Sequence, residues 1–192
     1  MKTYIIHMSE AVEREELVSE IVKLTNASVF EAIVANGTDR DERDEACFQS
    51  HLNIYKSIPP DEDLMIFEDD CEIVDPTFLS FVDENKNNYD LMYIGVNCVL
   101  EDTTSNIIGS FGTHAMWISS KALSIFLAHP REYIPIDHFW CKIEQEYNLA
   151  VWRPEEIYKY VRQKDGLTSY ITGNIRHNKD ESEYKLTWYE RF

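Results

Sequence analysis

An apolar run that ends in three carboxylates is the feature that most constrains this chain. Residues 64–67 read Leu-Met-Ile-Phe, and Glu68, Asp69 and Asp70 follow directly. Such a run is typical of a strand, and the ligands of α/β sheets usually lie beyond the carboxyl ends of the strands. Adjacent carboxylates repel one another, and a hard cation such as Mg²⁺ or Mn²⁺ would remove that repulsion. The run therefore favours a metal-assisted site for a phosphate-bearing substrate, and a solvated acidic loop is the alternative.

Strand-like and helix-like segments alternate along the chain. The predicted strands are residues 3–8, 29–35, 64–67, 90–95, 113–118 and 149–152. The predicted helices, from apolar spacing, caps and prolines, are residues 11–24, 41–58, 76–85, 120–128 and 136–147. This alternation predicts the α/β class, with a mostly parallel central sheet and helices on both faces. We find no internal repeat or linker, so a single domain spanning residues 1–192 is expected.

The charge of the chain restricts its partners. With 18 basic and 35 acidic residues, the net charge is −17 at pH 7. A broad nucleic-acid surface and docking on anionic lipid are therefore both disfavoured. A protein this acidic needs a local cation to handle an anionic ligand, which again favours a metal.

The cysteines and the N-terminal sequence indicate in which cellular compartment the protein is expected. The four cysteines, Cys47, Cys71, Cys98 and Cys141, are far apart and form no Cys-x-x-Cys pair. This spacing fits neither a zinc ribbon nor a disulfide framework, and it indicates reduced thiols and a cytoplasmic location. No signal peptide is evident, and no stretch approaches the roughly 20 apolar residues of a membrane span. We expect a soluble protein whose oligomeric state the sequence leaves open.

Three local patterns have both a structural and a functional interpretation. In the pair Ser50-His51, the histidine is either a packed core residue or a ligand. Asp137, two residues after Pro135, either accepts from free N–H groups at a helix start or acts as a general base at the sheet edge. The glycine-containing stretch 109–115 is either a loop entering a strand or a segment whose backbone approaches a sugar.

These patterns occur in a fixed order together with further motifs. In chain order they are Tyr4-Ile5-Ile6-His7-Met8-Ser9 with Arg14, Ala35-Asn36-Gly37, Ala46-Cys47-Phe48-Gln49-Ser50-His51, residues 64–70, residues 112–119 with Ala122, Pro135-Ile136-Asp137, and Gln163 with residues 165–169. Together they resemble glycosyltransferase family 25, which includes bacterial lipooligosaccharide galactosyltransferases and collagen-modifying galactosyltransferases. The resemblance covers roughly residues 3–171 and leaves an aromatic-rich tail, residues 172–192.

The resemblance implies a GT-A-type, Rossmann-like domain for nucleotide sugars. Its implied activity is an inverting transfer of galactose or glucose from a UDP-sugar to a glycan, a lipid-linked saccharide such as lipopolysaccharide, or a protein. The implied cofactor is Mn²⁺ or Mg²⁺, with Asp70 as the first ligand. Glu68 would face the ribose or a metal-bound water, and Asp69 would be a second ligand or a structural partner. His177 is a further candidate ligand.

The remaining site residues are implied either to contact the sugar-nucleotide donor or to act on the acceptor. Those implied to contact the donor are Ile6, His7, Asn36 and Gly37 at uracil and ribose, Arg14 at a phosphate, and His51, Glu68 and Asp69 nearby. On the acceptor side, inversion in one displacement requires that the attacking hydroxyl lose its proton. Asp137 is the first candidate for that base, followed by His114 and His138.

Two other functions stay open at this point. A nucleotidyltransferase on a similar sheet would carry a basic, glycine-rich phosphate loop near the N-terminus, and the sequence has none. A non-catalytic carbohydrate- or nucleotide-binding protein would keep the fold without turnover. The acidic run and Asp137 disfavour that second reading. The acceptor and the exact sugar are not identified by the sequence.

Overall fold

The structure is a computed structural model that describes residues 1–36, 39–101, 107–156, 158–164 and 185–187. The strands are β1 (Lys2–His7), β2 (Ser28–Glu31), β3 (Leu64–Glu68), β4 (Cys71–Ile73), β5 (Leu91–Gly95), β6 (Cys98–Glu101), β7 (Ile107–Phe111), β8 (Ala115–Ile118), β9 (Val151–Trp152), β10 (Val161–Gln163) and β11 (Lys185–Thr187). The helices are α1 (Glu15–Thr25), α2 (Arg40–Ser57), α3 (Phe78–Asn85), α4 (Ser120–Ala128) and α5 (Ile136–Glu146), with a 3-10 turn at Val12–Arg14 before α1.

A six-stranded sheet with the order β2-β1-β3-β8-β5-β9 lies at the centre. β1 pairs in parallel with both β2 and β3, and β5 pairs in parallel with β9. The reversed strand is β8, which is antiparallel to β3 and β5. The predicted mostly parallel α/β sheet is therefore confirmed. Since β2 and β3 lie on opposite sides of β1, the strand order reverses there and opens a crevice beyond the carboxyl ends of β1 and β3.

Helices cover both faces of this sheet. On one face, Ile66 packs in a core with α2, α4 and α5, to which α5 contributes Trp140. On the other face, Phe67 packs in a core with α1 and α3, to which α1 contributes Val18 and Ile21. Residues 64–67 are each 0% exposed. Because successive side chains of a strand point to opposite faces, a strand covered on both sides has to be apolar at every position.

Two smaller sheets lie next to the central one. β4 pairs antiparallel with β10, so that Gln163 is opposite Cys71. β6 and β7 form an antiparallel pair, to which β11 adds in parallel along β6. The sequence patterns missed these strands. They are short, and the β4–β10 pair joins residues as far apart in sequence as Glu72 and Arg162, which are 90 positions apart.

The predicted helix boundaries agree with the structure to within a few residues. Ser119 caps α4 as expected, since its side chain accepts from the N–H of Ala122 at 3.1 Å. Two helix starts differ from the prediction: α1 begins at Glu15, after the 3-10 turn and four residues later than predicted, and α3 begins two residues later than predicted. This helix begins at Phe78, and Asp75 accepts from the N–H of Thr77 at 2.9 Å in a turn that precedes it.

All four cysteines are free thiols, as the spacing predicted. Among the described residues, no helix combines the length and the apolar composition needed to cross a membrane.

Candidate active site

The acidic run lies at the reversal point of the central sheet. Glu68 is the last residue of β3 and is opposite Ile6 of β1 in the parallel register. Asp69 and Asp70 form the turn that connects β3 with β4. The three consecutive carboxylates have different surroundings, so they are not equivalent.

Asp69 is buried and bonded within the protein. Its carboxylate forms an ion pair with the guanidinium of Arg14. It also accepts from the N–H of Met8 at 3.0 Å and lies 3.0 Å from Nδ1 of His7. Asp69 is 4% exposed and Arg14 is 5% exposed. These contacts hold the β3–β4 turn against the end of β1, so they support the structural interpretation of Asp69.

Arg14 has a different partner from the phosphate that the resemblance implied. Its guanidinium is inside the protein and is paired with Asp69. An arginine in the turn before α1 therefore stabilises the acidic turn.

Removal of the Asp69 carboxylate is expected to destabilise the fold strongly. In Asp69→Ala the buried charge of Arg14 would lose this partner, and breaking a buried pair costs about 3–5 kcal/mol of unfolding free energy. Urea unfolding at neutral pH measures this loss. Asp83→Ala removes the exposed partner of Lys86 and serves as the control, since exposed ion pairs contribute little. Equal stability of Asp69→Ala and wild type would contradict the structural role.

Glu68 is held in its ionised form by polar neighbours. Its Oε1 accepts from Oγ1 of Thr113 at 2.9 Å and lies 3.2 Å from Nε2 of His51. Burial alone raises the pKa of Glu68. The hydrogen bond from His51, the charge that His51 and His114 carry when protonated, and the bond from Thr113 outweigh burial and lower the pKa to about 2. With its side chain 21% exposed, Glu68 presents a negative charge at the crevice.

A chain of hydrogen bonds from the core orients His51. Its Nδ1 lies 3.2 Å from the hydroxyl of Tyr55, and Nε1 of Trp140 lies 3.3 Å from the same hydroxyl. The indole N–H can only donate, and burial raises the pKa of Tyr55 so far that its hydroxyl stays protonated. One arrangement uses every donor: Trp140 donates to Tyr55, Tyr55 donates to Nδ1, and the Nε2 hydrogen of His51 is directed at Glu68.

Ser50, the neighbour of His51, has a separate structural contact. Its Oγ accepts from the N–H of Ile33 at 2.8 Å and donates to the carbonyl of Ala46 at 2.9 Å. Ser50 thus joins α2 to the segment after β2, while His51 faces the acidic run.

Asp70 is fixed through its backbone by β10. Its carbonyl accepts from the N–H of Lys164 at 2.8 Å. Its carboxylate oxygens lie 3.3 and 3.5 Å from Nε2 of Gln163, which is long for a hydrogen bond. Asp70 is 3% exposed, and its fixed backbone places its carboxylate in the turn beside Glu68.

Asp137 lies in the first turn of α5 and accepts from the N–H of His138 at 2.9 Å. Burial raises the pKa of Asp137, His138 opposes this shift, and the charges of Glu68 and Asp44 add to it. The carboxylates of Glu68 on β3 and Asp44 on α2 are therefore near enough to Asp137 on α5 to raise its pKa. A raised pKa brings a carboxylate closer to the working range of a general base, so the helix-start contact and a catalytic role are compatible.

His114 is enclosed by two glycines and is 0% exposed. A Cβ at Gly95 would come within 2.4 Å of its Nε2, and one at Gly112 within 3.0 Å of its Nδ1. Gly112 has a φ of +101°, a conformation that favours glycine. This enclosure separates the ring from an acceptor hydroxyl, so the position of His114 does not favour it as the base; when protonated, its charge lowers the pKa of Glu68.

The other predicted residues have varied positions. The ring of His138 stacks on Phe111, with ring centroids 4.6 Å apart and planes at 20°. Ile6 and His7 end β1 with 8% and 6% exposure, and Asn36 is the last described residue before a gap. Gly37 and His177 lie outside the described residues.

Sequence patterns did not single out Thr113 and Tyr55 as site residues. Tyr55 lies four positions after His51 on a helix, a spacing that places both on one face and offers a usable signal. Thr113 reaches Glu68 across 45 positions, and a local pattern contains no information about such a contact.

Comparison with known proteins gives the fold. No model of a protein family matches the sequence, and no curated protein matches it. A solved structure similar to this chain is that of a mutant Drosophila β-1,4-galactosyltransferase 7 in complex with manganese, UDP-Gal and xylobiose, with a TM-score of 0.51 and 7% identity over 95% of this chain and 77% of that chain. A glycosyltransferase involved in glycosylation of the major capsid of PBCV-1 is also similar, with a TM-score of 0.45 and 13% identity over 87% of this chain and 96% of that chain. The chain has a GT-A-like α/β fold.

Proposed function

We propose that this chain is a metal-dependent, inverting glycosyltransferase of the family 25 type. It would move galactose or glucose from a UDP-sugar to a saccharide or glycosylated acceptor. The observation that carries the proposal is the position of Glu68 and Asp70 at the reversal point of a GT-A-like sheet. Asp137, at the start of α5, is near enough that its charge, like those of Glu68 and Asp70, raises the pKa of Cys47.

The donor would bind beyond the carboxyl ends of β1 and β3, where ligands of such sheets lie. The Drosophila structure that shares this fold was determined with manganese and UDP-Gal, and we carry both to this chain as part of the proposal. Asp69 and Arg14 would act there indirectly, by holding the turn that carries Asp70 against the end of β1.

The residues at this crevice fit a hard divalent cation. Asp70 and Glu68 offer oxygen ligands, which Mn²⁺ and Mg²⁺ prefer, and Glu68 is ionised because its pKa is about 2. We assign Asp70 as a ligand and Glu68 to the ribose or a metal-bound water. When bound, the ion would offset the negative charge on the departing diphosphate. Asp69 is left out of this set, since Arg14 and His7 occupy its carboxylate.

Asp137 would take the proton from the acceptor hydroxyl. A single displacement with inversion needs a base on the face opposite the leaving group. Asp137 is at the start of α5, a different element from the strand that carries the metal-binding carboxylates, and its raised pKa suits proton transfer.

A thermal-shift series with sugar nucleotides tests the donor part of this proposal. UDP-galactose or UDP-glucose with Mn²⁺ should raise the melting temperature, because a ligand at 100 times its Kd stabilises the native state by about 2.7 kcal/mol. GDP- and CMP-sugars, and UDP-sugars with a chelator, should give much smaller shifts.

Two results would contradict the transferase. A shift with UDP-sugars without any release of UDP in the presence of Mn²⁺ would favour a non-catalytic binding protein. A shift with nucleoside triphosphates and sugar phosphates in place of UDP-sugars would favour a nucleotidyltransferase.

A further inference from the structure

Three side chains of different chemistry converge beside the middle of α2. Cys47 and His51 are four positions apart on this helix, so they lie on the same face. Glu68 at the end of β3 is opposite them. The sulfur of Cys47, a ring nitrogen of His51 and a carboxylate oxygen of Glu68 all lie within 4.8 Å of one another.

We propose that Cys47, His51 and Glu68 form a binding site for Zn²⁺ that is distinct in chemistry from the oxygen-only set at Asp70. Thiolate, imidazole and carboxylate are the three ligand types that zinc takes in proteins, at about 2.0–2.3 Å. A hard ion such as Mn²⁺ prefers oxygen ligands and binds thiolate weakly. Three protein ligands leave the fourth tetrahedral position open to water.

The surroundings of the three ligands favour a cation. Burial raises the pKa of the Cys47 thiol, and the negative charges of Glu68, Asp137, Asp44 and Asp70 raise it further. The same charges attract a divalent ion to this point, and a bound ion would offset them. Cys47 is partly exposed and the side chain of Glu68 is 21% exposed, so an ion can enter from solvent.

His51 already has the second contact that metal-binding histidines use. Such a histidine usually bonds through its other ring nitrogen to an acceptor, which fixes the orientation of the ring. Here Nδ1 lies 3.2 Å from the hydroxyl of Tyr55, which Trp140 holds in turn. When the ion takes Nε2, the ring proton moves to Nδ1 and is donated to the oxygen of Tyr55. The thiol of Cys47 releases its proton to solvent.

Glu68 takes part in both the proposed donor site and the zinc site. When zinc binds Cys47, His51 and Glu68, the carboxylate of Glu68 is no longer available to the sugar-nucleotide donor. The ion also replaces the 3.2 Å contact between His51 and Glu68. A consequence that rests on the proposed function is that micromolar zinc inhibits the Mn²⁺-dependent transfer. The zinc site itself stands without that function, because its evidence is the ligand cluster alone.

Titration of the reduced, metal-free full chain with Co²⁺ tests the site without any sugar nucleotide. Cobalt takes the place of zinc and gives a thiolate-to-cobalt charge-transfer band in the near ultraviolet. We expect one equivalent of Co²⁺ to produce this band and Zn²⁺ to abolish it. Cys47→Ser should remove the band, and zinc affinity in competition with a chromophoric chelator should fall by about 100-fold or more.

Two further variants separate a site from a general effect on the fold. Cys141→Ser is the matched control; it replaces a buried thiol that donates to the carbonyl of Ser110, and it should keep the band and the affinity. Tyr55→Phe removes the partner of His51 and should weaken zinc binding by about 10-fold or more. In the wild-type chain, Zn²⁺ should also protect Cys47 from alkylation, which needs no variant. Absence of a thiolate band in wild type, or its survival in Cys47→Ser, would overturn the proposal.

Discussion

Asp70→Ala is expected to lower Mn²⁺-dependent turnover of the UDP-sugar by about 10²–10³-fold or more. Asp70 is the carboxylate assigned to the cation, and loss of this ligand leaves the charge on the departing diphosphate without its main counter-charge. Release of UDP at saturating donor, measured with and without acceptor, gives the size of the loss.

The same substitution should lower the melting temperature much less than Asp69→Ala does. The backbone carbonyl of Asp70 keeps its bond from Lys164, and the contact of the side chain with Gln163 is long. The substitution also removes the negative charge of Asp70 and so relieves its repulsion with Glu68. Loss of activity with little loss of stability is the behaviour expected of a functional residue. Asp69→Ala, one position earlier, should instead lose stability.

Glu72→Gln is the matched control for Asp70→Ala. Glu72 is two positions further along and forms ion pairs with Arg162 on β10 and with Lys164 directly after it. This variant should retain turnover. Undiminished Mn²⁺-dependent turnover in Asp70→Ala, or an equal loss in Glu72→Gln, would contradict the role of Asp70 in binding the metal.

The central sheet could be predicted from the sequence because its signals are local. Residues 64–67 are apolar at every position, since β3 is covered by helices on both faces. The capping serine, Ser119, marks the start of α4 in the same local way. The short strands at the edge of the crevice carry no such pattern, and their positions depend on distant partners.

The unequal roles of the three carboxylates could not be read from the sequence. What distinguishes Asp69 from its neighbours is the ion pair with Arg14 and the contact with His7, which lie 55 and 62 positions away. Motif order did locate Arg14 near the crevice, but it did not reveal that its partner is a carboxylate of the same protein. Long-range pairing of this kind is decided by the fold and leaves no periodic signal.

Asp137→Asn is expected to lower transfer to an acceptor by about 10²–10⁴-fold, the usual contribution of a general base, and to leave donor binding intact. Asparagine has the shape of aspartate and still accepts from the N–H of His138, so the start of α5 is kept. It cannot take a proton. Transfer rate and the thermal shift with the UDP-sugar, measured separately, distinguish the two effects.

The pH dependence of transfer gives a second test of Asp137. Its pKa is raised by burial and by Glu68 and Asp44, against the opposing effect of His138. The ionised base is therefore lost as the pH falls through a value above that of an ordinary aspartate. Wild-type transfer should decline on this acid side, and the residual rate of Asp137→Asn should not show that decline.

Asp44→Asn is the matched control for Asp137→Asn. Asp44 lies on α2, pairs with Arg40 at 3.6 Å, and has a pKa that burial raises. Asp44→Asn makes the same chemical change as Asp137→Asn in similarly acidic surroundings, but Asp44 has no proposed role in proton transfer. This variant should therefore keep most of the activity. If Asp137→Asn lost donor binding together with transfer, Asp137 would be a helix-start residue alone. If transfer persisted in Asp137→Asn, the acceptor would lose its proton to a different group, because a carboxamide cannot accept it.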